Sequence, residues 1–117
     1  MTKRQKERVE SLVKIIQENP NLPILPLVAY EVVSDDGYDW SVGELGECYV
    51  DDFYIIGEQV FLKRPEDWGE VEKAVAMEYG QDEFENMRWC DVVRYYDELP
   101  WTTAIILDIN PIEGEGI

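Results

Sequence analysis

Residues 102–109, TTAIILDI, form a nearly continuous apolar run between Pro100 and the pair Asn110-Pro111. A strand with one wet face would alternate polar and apolar residues; this one does not. It suits a central strand covered on both faces, and the rest of the chain has to supply the cover. The 117 residues are 45% hydrophobic and include 14 aromatics, enough for a core and too many for intrinsic disorder. A chain of this length buries roughly two-thirds of its unfolded surface. A single domain spanning 1–117 is expected.

Residues 3–18 read as an amphipathic helix, with Val9, Leu12, Val13 and Ile16 at i, i+3, i+4 and i+7. Asn19-Pro20 stops it. Pro20, Pro23 and Pro26 then suit an extended, polyproline-like connector. Residues 27–33 read as a strand ending in a turn at Ser34-Asp35-Asp36-Gly37. A short strand at 38–42, a bend or bulge at Gly43 and Gly46, and a longer strand at 47–56 follow. Gly57-Glu58 fits a hairpin turn into a strand at 59–63. Pro65 falls where a first helical turn favours it, with Glu66 and Asp67 at the positive end of the dipole. Trp68, Val71 and Val75 continue this helix to Tyr79, and Gly80 caps it. Asp82 can cap a further helix, within which Trp89, Val92, Val93, Tyr96 and Leu99 share a stripe. Residues 110–117 read as a frayed tail. The order α-β-β-β-β-α-α-β predicts an α+β fold, an antiparallel sheet of four to five strands with helices on one face.

Charge narrows the function. The chain has no histidine and a net charge of −16. Residues 1–18 are net +2 and residues 19–117 net −18, with no Lys or Arg between Lys14 and Lys63. Such an excess repels nucleic acid and anionic membrane and attracts basic surfaces, of which those on nucleic-acid-binding proteins are the commonest. Average charge does not imitate DNA: over ~6,600 Å² it is one charge per ~400 Å², against one per ~100 Å² on a duplex. Mimicry requires the acids to gather on one face.

Three stretches, NPNLPILPLVAYEVVSDDGYDW, GELGECYVDDFYIIGEQVFLK and ELPWTTAIILDI, together resemble a group of small acidic proteins carried by phages and integrated elements of Gram-positive bacteria. The resemblance runs from about residue 19 to 109. It rests on a Leu-Pro-Ile-x-Pro entry, an acidic turn, a Tyr/Trp-rich hairpin and a Pro-Trp step. It implies a mobile-element origin and action in a bacterial cytoplasm, and it brings no active site. By association, such proteins include counter-defence factors that inhibit CRISPR effectors and restriction enzymes.

Enzymatic motifs are missing. Without histidine the commonest general base is gone. None of Ser11, Ser34 and Ser41 sits in a nucleophile elbow, and there is no phosphate-binding loop. Cys48 and Cys90 have no CxxC partner and read as two free thiols in a reducing cytoplasm. Asp35/Asp36 and Asp51/Asp52 can in principle hold a divalent ion. Neighbouring strand residues face opposite ways, so Asp51 and Asp52 should not chelate together. Neither a metal nor a cofactor is expected. The N-terminal Lys3, Arg4, Lys6 and Arg8 read as a solvated helix face.

What remains is protein binding by an acidic-aromatic strand. Glu47, Tyr49, Asp51, Phe53 and Ile55 share one side and are expected outward; Cys48, Val50, Asp52, Tyr54 and Ile56 are expected toward the helices. Carboxylates beside aromatics suit Arg and Lys, through ion pairs and cation–π contact. The expected partner-binding set is Asp35, Asp36, Tyr38, Asp39, Trp40, Glu44, Glu47, Tyr49, Asp51, Asp52 and Phe53. A second acidic run spans Glu66, Asp67, Glu70, Glu72, Glu78, Asp82, Glu83 and Glu85 and reads as a solubilising face. The expected function is a non-enzymatic inhibitor that occludes the nucleic-acid channel of a host defence nuclease, Cas9 first among them, by phosphate mimicry. The alternative is a generic interaction module whose acidity serves solubility. The third reading is a divalent-metal carboxylate enzyme.

Overall fold

The structure, a computed structural model, describes residues 1–33 and 41–112. It is α+β. Helix α1 spans Lys3–Glu18, strand β1 Ile24–Val28, β2 Glu44–Ile56 and β3 Gln59–Leu62. Helices α2 (Trp68–Tyr79), α3 (Gln81–Glu85) and α4 (Trp89–Asp97) follow, and β4 covers Thr102–Asn110. The four strands are ordered β1-β4-β2-β3. The chain divides into two compact units, Met1–Val50 with Ala104–Ile117, and Asp51–Thr103. Helix α1 belongs to the first unit and α2, α3 and α4 to the second, instead of forming one set.

The apolar run predicted to be central is central: β4 lies between β1 and β2. Ala104, Ile105 and Ile106 are fully buried in it. The sheet, however, is mixed. β1 runs parallel to β4, with Ile24 beside Ile105 and Val28 beside Ile109, while β2 and β3 form the expected antiparallel hairpin. The predicted polyproline connector therefore contributes to a strand. Pro26 is tolerated because β1 is an edge strand and pairs on one side only. The Ile105 amide donates to the Pro23 carbonyl at 2.8 Å, so even the entry to the strand is used. The predicted strand at 27–33 gives way after Val28 to a 3-10 turn at Tyr30–Val32. The predicted strand at 38–42 falls mostly outside the described residues, and residues 41–43 are not strand.

Gly46 lies inside β2 and is buried. Its need for glycine comes from close approach and not from its backbone angles. A Cβ there would collide with the Asn110 side chain and sit 3.0 Å from the Asp108 carbonyl oxygen. Gly57, at φ +62°, supplies the left-handed residue that the hairpin turn requires.

In the second unit Phe61, Val71, Ala74, Val75, Val92, Tyr96 and Leu99 form the core, with Tyr54, Ile56, Phe84 and Trp101 packed around it. α2 packs on both α3 and α4. Tyr96 organises this core. Its hydroxyl accepts the Arg64 amide at 2.7 Å, its carbonyl accepts Trp101 Nε1 at 2.9 Å, and the Tyr96 and Trp101 rings meet edge to face.

Two helix starts differ from expectation. α2 begins after Asp67, whose carboxylate accepts the Glu70 amide; Pro65 and Glu66 stand before the helix. The helix expected from Asp82 to Leu99 is two helices. It breaks because the Asn86 side chain donates to the Asp82 carbonyl, while the Asp91 carboxylate accepts the Arg88 amide and starts α4 afresh. Trp89, expected in the apolar stripe, is 73% exposed, whereas Val92 and Tyr96 are buried. Asn110 is still strand and residues 111–112 are half-buried, against the tail expected from 110; the rest of that stretch, 113–117, lies outside the described residues.

A candidate acidic binding surface

Of the expected partner-binding residues, Asp35, Asp36, Tyr38, Asp39 and Trp40 lie outside the described residues. The other six are on β2. The strand does not have the clean two-sided character that alternation predicts. Tyr54 and Ile56 do pack against the core. But Val50, expected inward, is exposed, and Tyr49, Asp51 and Phe53, expected outward, are half-buried. A strand that runs from one packed unit into the next changes its surroundings partway, and simple alternation does not anticipate this.

The segment between Lys14 and Lys63 has no base of its own, yet three of its described acids, Glu44, Glu47 and Asp51, are met by arginines from elsewhere. In the first unit, Arg4 Nη2 lies 2.8 Å from Glu44 Oε2, and the Glu44 side chain is only 12% exposed. Arg8 lies 3.7 Å from Glu47, which remains 71% exposed. The helix bases expected to be solvated are thus turned in part to β2. In the second unit, Arg64 Nη2 lies 2.6 Å from Asp51 Oδ2. The Thr103 hydroxyl donates to Asp52 Oδ1. Asp51 and Asp52 have separate partners and present no shared ligand pair. Among the described residues no three Cys, Asp or Glu side chains converge on a point that would hold a metal.

Titration behaviour follows these contacts. Partial burial works to raise the Asp51 carboxyl, but hydrogen bonds from the Arg64 guanidinium and the Asp52 amide, with the Arg64 charge, hold it below the ordinary carboxylate range. Asp108, on β4, is pushed up by burial and by the neighbouring Glu47 charge. Burial also pushes the Cys48 thiol up, against the opposing Arg8 and with help from Asp108. Both Cys48 and Cys90 are free thiols.

The helical acids are differently placed. Across residues 66–85 eight carboxylates face one base, Lys73. Asp67 caps α2, and Glu78 accepts the Tyr54 hydroxyl at 3.1 and 3.2 Å. Glu66, Asp82 and Glu83 are exposed and form no ion pair among the described residues. In the second unit, α2 and α3 line an open groove of about 380 Å³ formed by Glu72, Lys73, Ala76, Met77, Gln81 and Phe84. Met77 falls off the Trp68-Val71-Val75 stripe on α2, and that position, apolar yet outward, is the one local sign of the groove in the sequence. A second pocket, of about 510 Å³ in the first unit, is lined by Arg4, Arg8, Glu31, Glu44 and Asn110, so its charges balance within the lining.

No helix among the described residues is long and apolar enough to cross a membrane. No protein-family model, no curated protein and no solved structure matches the chain.

Proposed function

We propose that the protein is a non-enzymatic binding protein whose exposed carboxylates engage a basic surface of a nucleic-acid-handling protein. In the cytoplasm of a bacterial host that target is a defence nuclease, a CRISPR effector first among them, and binding occludes its nucleic-acid channel. The observation that carries this reading is the run of eight acids against one base at residues 66–85, with Glu66, Asp82 and Glu83 exposed and without ion pairs among the described residues. The phosphate-replacing role passes from the strand acids to these helical ones. Glu44 and Asp51 are held by Arg4 and Arg64, and a partner would have to break those pairs to use them. Glu47, exposed and only loosely held, contributes separately.

A second reading, an interaction module of a mobile element whose acidity serves only solubility, is favoured by the internal pairing of the strand carboxylates. Salt separates the two. A pull-down from a Gram-positive host lysate at about 50 mM and about 500 mM salt, read by mass spectrometry, names the partner. Displacement of duplex DNA from that purified partner then tests occlusion. We expect capture at low salt, release at high salt, and about tenfold weaker displacement with Glu66→Gln, Asp82→Asn and Glu83→Gln combined. A partner indifferent to salt and to these substitutions would leave acidity as a solubility device.

A further inference from the structure

We infer that the groove between α2 and α3 is a docking site for a basic amphipathic helix of a partner protein. The inference rests on the acidic-partner reading above and specifies where the partner is gripped. The floor is apolar: Ala76, Met77 and Phe84 line it, and Met77 is 43% exposed although its helix neighbours Ala74 and Val75 are fully buried. An unbranched thioether left outward adapts to varied apolar knobs. The rim is acidic. Glu72 lines the groove directly, and Glu85 accepts a hydrogen bond from the lining Gln81 at 3.2 Å. The one basic liner, Lys73, holds its Nζ over the Phe61 ring, 5.9 Å from its centroid.

Shape and charge together select the occupant. An apolar floor between two helices suits the apolar stripe of a third helix, whereas an extended peptide adds to a sheet edge. Acids on the rim select Lys or Arg flanking that stripe and repel nucleic acid. At about 380 Å³ and open to solvent, the groove falls at the small end of pockets that enclose a ligand, so it suits one or two projecting side chains.

The test is fluorescence anisotropy with the full chain and three labelled synthetic peptides: an amphipathic Leu/Lys helix, a scrambled peptide of the same composition, and a Leu/Gln analogue without charge. We expect the ordered Leu/Lys helix to bind at least about tenfold tighter than the scrambled one, and Met77→Glu to remove that advantage. Met77→Glu adds a carboxylate, so a contact made by charge alone would tighten instead. Its exposed position spares the core, and a melting curve checks the fold. If ordered and scrambled peptides bind alike and Met77→Glu binds both more tightly, the groove is not the site, while the acidic surface stands. If the uncharged analogue binds as well as the Leu/Lys helix, the occupant is not basic. If neither basic peptide binds at low salt, both the groove and the acidic-partner reading fall.

Discussion

Asp51 shows how one contact changes the meaning of a residue. In the sequence it is half of an Asp-Asp pair in a zone without bases; in the structure it is the partner of Arg64. Its carboxyl is held below the ordinary range, against burial, by the Arg64 and Asp52 hydrogen bonds. A folded value below the unfolded one stabilises the fold above the unfolded value, about pH 4, and that stabilisation is lost as pH falls through the folded value. Asp51→Asn should therefore cost about 1 kcal/mol near pH 7, after allowing for the partial exposure of Arg64. The deficit should shrink progressively as pH falls below the unfolded value, as read by urea denaturation across pH. A deficit that persists unchanged in acid would mean that the loss is one of packing. At Gly46 the constraint is steric. Gly46→Ala should lower stability by about 1–3 kcal/mol, because a backbone oxygen of β4 blocks the new methyl and cannot move aside like a side chain. A neutral result by thermal melting would show that β4 can shift.

At the scale of elements, α1 is the instructive case. Its boundaries were legible, because its apolar period and the Asn19-Pro20 stop are local signals. Its attachment was not. No residue of α1 is buried, and the pairs Arg4–Glu44 and Arg8–Glu47 join it to β2. Partly exposed pairs of this kind contribute about 0.5–1 kcal/mol each and weaken with salt. Arg4→Ala with Arg8→Ala should speed amide hydrogen exchange across residues 3–18 by about three- to tenfold, leaving α2 and α4 unchanged. Exchange in α1 equal to the wild type would assign its attachment to Val9, Leu12 and Ile15, its half-buried apolar residues. The helix expected from 82 to 99 failed for a related reason. Its apolar stripe is real at Val92, Tyr96 and Leu99, though Val93 is exposed, and Asn86 can bond the backbone while Asp91 can start a new turn. Periodicity does not register such competitors.

For the whole molecule, the balance is between an overall charge of −16 and five ion pairs among the described residues. Like-charge repulsion acts over the full surface, while each exposed pair contributes little. Raising salt from about 20 mM to about 500 mM at pH 7 should therefore raise the melting temperature by several degrees, since screening removes more repulsion than attraction. A fall would mean that the arginine pairs dominate. Stability should also decline at alkaline pH. Burial first, and neighbouring acids next, raise the tyrosine hydroxyls of Tyr79 and Tyr96, with the Arg64 amide opposing at Tyr96. A folded value above the unfolded one means that stabilisation is complete below about pH 10 and lost as pH rises past it.

From the sequence by itself come the α+β class, the span of α1, the turn at Gly57-Glu58, the cap at Gly80 and the central position of residues 102–109. Each follows from forces that act within a few residues: helical period, backbone freedom at glycine, and the burial that an unbroken apolar strand demands. Only the tertiary structure decided that β1 lies parallel to β4, that Arg4 and Arg64 neutralise Glu44 and Asp51, and that Met77 and Phe84 share a groove. Partners brought together across many residues leave no local trace. Coulomb attraction and packing depend on distance in space, and that distance is set only when the whole chain folds.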